Sequence, residues 1–353
     1  MRLQIVCRGS TKEGLGHLFR ARTFAKTAQY FHDVEIVAIL EPELELLFGE
    51  LNCSVRFARN DRAALAYLQD FDAEVLLFDL TRLDREIFEE AIGTPRLTAS
   101  LSPVFEHMAR LNIVFTRTAQ APQLDGVQIF GGLRYAIFNE NCTWIEDDRY
   151  ERNLSLPDFT IAVCMGGGDA ANKTLAVLQA LMRINSNLTI WALLGEGYSH
   201  SYNELVDTVR GSRRHEVILA KTNRSMWRIM GQCSLGILAG GLTTIEAIYA
   251  GLPTVNLFER QEHLDTMTQE LFELGVCVNG GLFSERSLDT MVRTVQYLND
   301  NRNRLREMHV RCKGLVDSRG SERVLQELEA ELEKRPGRLS ARSSQSDVMS
   351  LNP

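Results

Sequence analysis

The sequence predicts an α/β protein of two Rossmann-like, doubly wound domains facing each other, the GT-B type of architecture. Three observations predict it. Short β-rich runs alternate with amphipathic helical segments from one end of the chain to the other. The strand-like runs are nearly continuously apolar, the mark of a parallel sheet covered on both faces. The alternation breaks once near the middle and then restarts, so two β/α halves are joined by one linker.

In the first half, strands are expected at 3–7 (LQIVC), 34–40 (VEIVAIL), 54–58 (SVRFA) and 75–79 (VLLFD), with weaker ones near 96–101, 111–115 and 127–130. A helical stretch near 16–31 follows the first strand. The segment 139–157 (NENCTWIEDDRYERNLSLP) is polar, charged and without period. In the second half, strands are expected at 159–165, 188–194, 215–220, 234–239 and 253–258. Helical segments lie between them near 171–184, 201–210, 224–232 and 243–250. The expected division is an N-terminal domain at 1–140, a linker at 141–157 and a C-terminal domain at 158–334. Residues 284–334 read as helical and highly charged. Residues 335–353 carry few large apolar side chains and no period, so they read as a disordered tail.

A chain of 353 residues is longer than one hydrophobic core usually serves. With 44% hydrophobic and 24% charged residues it can bury a sizeable core without staples. The net charge of −7 disfavours nucleic acid and anionic membranes as partners. A bound anion must therefore be met by local features. The seven cysteines are odd in number, lie no closer than about twenty residues apart and form no CxxC pair. No zinc or redox motif is suggested, and buried free thiols in a reducing compartment are expected. No signal-peptide pattern opens the chain and no membrane-spanning run occurs, so a cytoplasmic location is expected.

In open α/β sheets, ligands bind beyond the carboxyl ends of the strands. Four turns there stand out. The first is 9–17, GSTKEGLGH, whose Gly14 and Gly16 lead to His17 at a helix start. Free N–H groups at such a start attract anions, and the dipole favours a neutral, proton-accepting imidazole. The alternative is a tight turn with a capping or packing histidine. The second is 165–174, MGGGDAANKT. Its successive glycines, Gly167 and Gly168 among them, make a natural diphosphate nest; a flexible turn with Asp169 as N-cap is the alternative.

The third is 239–247, AGGLTTIEA, containing Gly241, Thr243, Thr244 and Glu246. Its glycines and hydroxyls suit phosphate, and Glu246 could accept hydrogen bonds from ribose hydroxyls. Against this, Thr243 and Glu246 have the spacing of a capping box. The fourth is 258–263, FERQEH, with Arg260 and Gln261; a solvated helix start is its plain alternative. Asp79, ending VLLFD, is placed similarly.

Five segments in this order resemble one family: GLGHLFRARTFA (14–25), GGLRYAIF (131–138), CMGGGDAANKTLAVLQAL (164–181), LAGGLTTIEAIYAGLPTV (238–255) and LVDSRGSERV (315–324). The chain is similar to the UDP-diacetamido-trideoxy-altropyranose hydrolases of pseudaminic acid biosynthesis and their spore-coat-polysaccharide relatives. That family has the GT-B fold of the lipid II N-acetylglucosaminyl transferase. The resemblance spans about residues 1–330. It implies His17 as catalytic base in a loop shaped by Gly14 and Gly16. It implies Gly167 and Gly168 facing the diphosphate, Glu246 holding the ribose, and Gly241, Thr243 and Thr244 near the phosphates. Where the family has Asn-Gln, this chain has Arg260-Gln261: the glutamine matches and the asparagine is replaced by a cation.

The implied reaction is hydrolysis of a UDP-linked amino-deoxysugar at its anomeric carbon. His17 would take the proton of the attacking water, with no cofactor and no metal required. The alternative is a glycosyltransferase with the same donor and an acceptor hydroxyl in place of water. A membrane-associated transferase should show a basic, apolar patch in the first half as acceptor platform; no strong one is present, and FGELN (48–52) and LFRARTF (18–24) do not make one. A non-catalytic sugar-nucleotide binder is a third class, against which His17 counts.

Overall fold

The computed structural model describes residues 1–335, apart from residues 12, 50, 95, 118–122, 222–225, 262–263 and 266–268 and the side chains of 269 and 270. The expected tail lies almost entirely outside the described residues.

The first sheet has seven parallel strands: β1 (Arg2–Arg8), β2 (Asp33–Ile39), β3 (Ser54–Ala58), β4 (Val75–Asp79), β5 (Leu97–Ser100), β6 (Ile113–Phe115) and β7 (Gln128–Phe130). Their order is β3-β2-β1-β4-β5-β6-β7. The continuous apolar runs follow from burial of both faces. Ile5, Val75 and Leu77 join one core, and Val6, Leu76 and Phe78 join the core on the opposite face.

The second sheet has six parallel strands: β8 (Phe159–Cys164), β9 (Leu188–Leu194), β10 (Glu216–Lys221), β11 (Leu235–Leu238), β12 (Thr254–Phe258) and β13 (Cys277–Leu282). Their order is β10-β9-β8-β11-β12-β13. Twelve of these thirteen strands stand where the apolar runs predict them. The last, β13, does not read as a strand because its CVNGGL sequence has two glycines and little β propensity. Register with β12 holds it in the sheet.

Two boundaries differ from the expected division. The supposed linker contains a helix, Asp147–Ser155. Cys142, Ile145, Tyr150 and Leu154 join the second-half core, and Tyr150 donates its hydroxyl proton to the Ser234 carbonyl at 2.8 Å. Only one narrow face of this helix is apolar, so its composition reads as a loop. The helix Gly320–Glu333, grouped with the second half by sequence order, returns to the first. Its Val324, Leu325, Leu328 and Leu332 lie in the core with Ile5 and Ile36, and Glu327 accepts a hydrogen bond from Tyr135 at 2.8 Å.

All seven cysteines are free thiols, and all but Cys53 are buried, as expected. Among the described residues no helix is long and apolar enough to cross a membrane.

Candidate active site

In each sheet the strand order reverses at one point, between β1 and β4 in the first and between β8 and β11 in the second. Chain connections diverge there to opposite faces and leave a crevice at the carboxyl ends. Three of the four glycine-rich or polar turns leave strands that flank these points; the fourth leaves β12, next to β11.

In the first half, register brings the site together. Cys7 at the end of β1 pairs with Asp79, the last residue of β4. The turn after β1 then opens the helix Gly16–Ala28, which puts His17 in its first turn and Arg20 one turn on, on the same face. His17 Nδ1 lies 2.7 Å from Asp79 Oδ1. Arg20 donates from Nε to Asp79 Oδ2 at 2.9 Å and from its terminal nitrogen to Oδ1. That nitrogen also lies 3.0 Å from His17 Nδ1.

Asp79 is fully buried. Burial pushes its carboxyl upward, but the Arg20 charge and the His17 hydrogen bond outweigh it, so the group is held below the usual range. An ionised carboxylate only accepts, so Nδ1 carries the imidazole proton and Nε2 is left as acceptor. A histidine oriented by a buried carboxylate is the arrangement of a general base. This excludes the reading of His17 as a plain cap, since the helix start has no side-chain cap at all.

His17 lines a cleft of about 380 Å³ together with Arg8, Thr81 and Arg82 of the first half and Glu259 and Arg260 of the second. The first and fourth turns are thus brought to one cavity. Gln261, by contrast, is exposed and donates to Asp265 at 2.6 Å.

The second glycine turn meets the first directly. A side chain at Gly168 would overlap the carbonyl oxygen of Thr11, and one at Gly167 would press on Leu15. These glycines therefore let the two halves touch. Asp169 accepts hydrogen bonds from the backbone N–H groups of Lys173 and Thr174 at 2.8 and 2.9 Å. Asp169 thus caps this helix from three residues before its N-cap, Asn172, and takes up two of its leading N–H groups. Beside it, Lys173 is buried and donates to Glu259 at 2.8 Å.

The third turn is different. The helix Leu242–Ala250 starts from Gly241 with no side-chain cap. Gly241 is exposed and Thr243 partly so, which leaves this helix start open to an anion. Gly240, at φ +63° and packed on Phe258, is a position only glycine fills. Thr244 turns away: it is buried and donates to Asn256 at 2.9 Å.

Glu246 does not close a capping box. It is buried and accepts from the Asn139 backbone N–H at 3.0 Å and from Trp227 Nε1 at 3.3 Å. Burial pushes its carboxyl up to about 7 against those two hydrogen bonds. Glu246 therefore ties Asn139, which precedes the expected linker, to the second half.

Two residues at the site escape sequence reasoning. Arg20 lacks any motif beyond its place one turn after His17. Arg117 follows β6, and its buried Nε has no hydrogen-bond partner among the described residues. Burial and the neighbouring Arg20 charge push Arg117 down to about 9. Among the described residues no group of three or more histidine, cysteine or acidic side chains could hold a metal ion.

The chain matches no family model. It is 22% identical over 278 residues to the uncharacterized protein MJ1062 of Methanocaldococcus jannaschii, covering 74% of this chain and 56% of that one. The chain thus spans little more than half the length of the curated relative it matches. Among solved structures it resembles MurG of Acinetobacter baumannii, with a TM-score of 0.64, 14% identity and coverage of 93% and 99% of the two chains. It also resembles MnaA of S. aureus, solved with UDP, at TM-score 0.63, 11% identity and coverage of 94% and 97%. HepE of Anabaena, solved with UDP and glucose, gives TM-score 0.59, 11% identity and coverage of 93% and 99%. The fold is the GT-B arrangement of two Rossmann-like sheets.

Proposed function

We propose that the chain is an enzyme that hydrolyses a UDP-linked sugar at the anomeric carbon, releasing UDP and the free sugar. The observation that carries this reading is the His17–Asp79 pair, 2.7 Å apart, at a cleft that also takes side chains from the second half. Water activated at Nε2 attacks the anomeric carbon, and the bond to the UDP oxygen breaks with its electron pair leaving on UDP. The leaving diphosphate lies on the open start of the helix Leu242–Ala250, near Gly241 and Thr243. Glu246 meets the ribose through the lone pairs that Asn139 and Trp227 leave free. The structures solved with UDP support a uridine nucleotide as ligand. The five segments that resemble the pseudaminic-acid hydrolases support an amino-modified sugar.

The test offers UDP-sugars without acceptor in ¹⁸O-water. Release of UDP with the label in the sugar supports the reading. Label in UDP means attack at phosphorus and overturns it.

One observation favours transfer instead. Phe19, from LFRARTF, and Leu44, Leu46 and Leu47, which precede FGELN, line a second cleft of about 1280 Å³ between the halves. Leu46 is 88% exposed. If UDP release needs an added hydroxyl compound, this cleft is the acceptor site and the enzyme is a glycosyltransferase.

A further inference from the structure

Among the described residues the cations around His17 are paired with carboxylates, with a single exception inside the cleft. Arg20 pairs with Asp79, Arg8 with Asp61, Arg82 with Glu13 and Lys173 with Glu259. Arg260 lines the same cleft as His17 and makes no ion pair or side-chain hydrogen bond among the described residues. Arg117, which makes no ion pair among the described residues but whose charge interacts with Arg20 and Asp79, adds a second cation. The protein as a whole is acidic, so this local surplus of positive charge stands against the background.

A guanidinium offers a planar fork of donors that matches a carboxylate or a phosphate, and it gains little from a neutral sugar. The diphosphate does not account for Arg260. The helix start that is open to phosphate is built from Gly241 and Thr243, and neither lines this cleft. Its other walls are Arg8, Glu13, His17, Thr81 and Arg82 of the first half and Glu259 of the second, whose carboxylate is paired with Lys173. Arg260 is therefore the second half's cation on the side of the cleft where bond breaking is placed.

We propose that the sugar carries a carboxylate and that Arg260 binds it. The substrate class is then a UDP-linked uronic acid, amino-modified or not. This rests on the UDP-sugar reading above and specifies its sugar.

The experiment measures binding of UDP, UDP-glucose, UDP-galactose, UDP-glucuronate and UDP-galacturonate by calorimetry, with the wild-type chain and with Arg260→Gln. The expected result is that at least one uronate binds about tenfold or more tighter than its neutral counterpart, the usual scale for a charge-assisted pair. Arg260→Gln removes that difference and leaves UDP affinity unchanged. Arg260 is exposed and has no ion pair among the described residues to lose, so the variant folds, and a melting curve checks this. Equal wild-type affinity for acidic and neutral sugars overturns the inference while UDP binding upholds the nucleotide reading. Equal weakening of UDP and of the uronates overturns it too, since Arg260 would then serve the diphosphate. If UDP itself does not bind, the UDP-sugar reading falls and the inference falls with it.

Discussion

His17 Nδ1 stands 2.7 Å from Asp79 Oδ1 across 62 positions of chain. The pair exists because β1 and β4 are neighbours in register, with Cys7 opposite Asp79. Arg20 neutralises the buried carboxylate from the same helix face as His17, so the three side chains form one unit.

If His17 is the general base, His17→Asn lowers turnover by about 10²–10⁴-fold, the span for loss of such a group. UDP affinity changes little, because the open helix start belongs to the other half. Turnover and calorimetry on the same variant check this, and an unchanged rate removes His17 from the chemistry.

Asp79→Asn keeps the shape of the unit but loses the acceptor that fixes the His17 tautomer. Turnover falls by about 10²-fold or more. Arg20 is then left buried without a counter-charge, at a cost of about 3–5 kcal/mol. Combining Asp79→Asn with Arg20→Gln recovers part of the melting temperature and none of the rate. Recovery of both would mean that Asp79 acts only on stability.

Glu246→Ala weakens UDP binding by about 1–3 kcal/mol if the carboxylate grips the ribose, the range for losing a hydrogen bond to a charged group. A residue serving only Asn139 and Trp227 would lower the melting temperature and leave UDP affinity intact. Calorimetry beside a melting curve separates the two roles.

Glu246 also sets a pH dependence. Its folded value is raised to about 7 from 4.5, so the native state holds the proton more tightly than the unfolded chain does. Its contribution is present in full below the unfolded value and is lost as pH rises through about 7. Glu246→Gln flattens this part of the fall in melting temperature between pH 5 and 8, within about a unit of those two values. An unchanged slope in the variant would assign the fall to other groups.

Turnover survives EDTA. The proposed scheme meets the diphosphate charge with backbone N–H groups, and no metal cluster occurs among the described residues. Loss of rate that magnesium restores would overturn the metal-free scheme.

Periodicity and turn chemistry are local, and they carried most of the fold. The runs LQIVC, VLLFD and FTIAVC are apolar on successive positions because both sheet faces are covered, so strand positions and class were legible. The helix Gly320–Glu333 was legible as a helix but not as part of the first-half core, since nothing in its pattern says which apolar surface it meets. The strand Cys277–Leu282 was hidden for the converse reason: its pairing comes from β12 and not from its own residues.

The site divides in the same way. The sequence by itself determined that His17, Gly241 and Arg260 follow strand ends, where an open sheet leaves room for a ligand. Only the tertiary structure decided which alternative each residue realises. Asp169 caps its own helix, Thr244 turns into the core, and Glu246 accepts from Asn139 and Trp227 in place of its own helix start. Arg20 and Asp79 became partners of His17 only through strand register. A residue's neighbours within one turn are set by the backbone period, but partners dozens of positions away are set by strand order and packing, which short-range patterns do not encode.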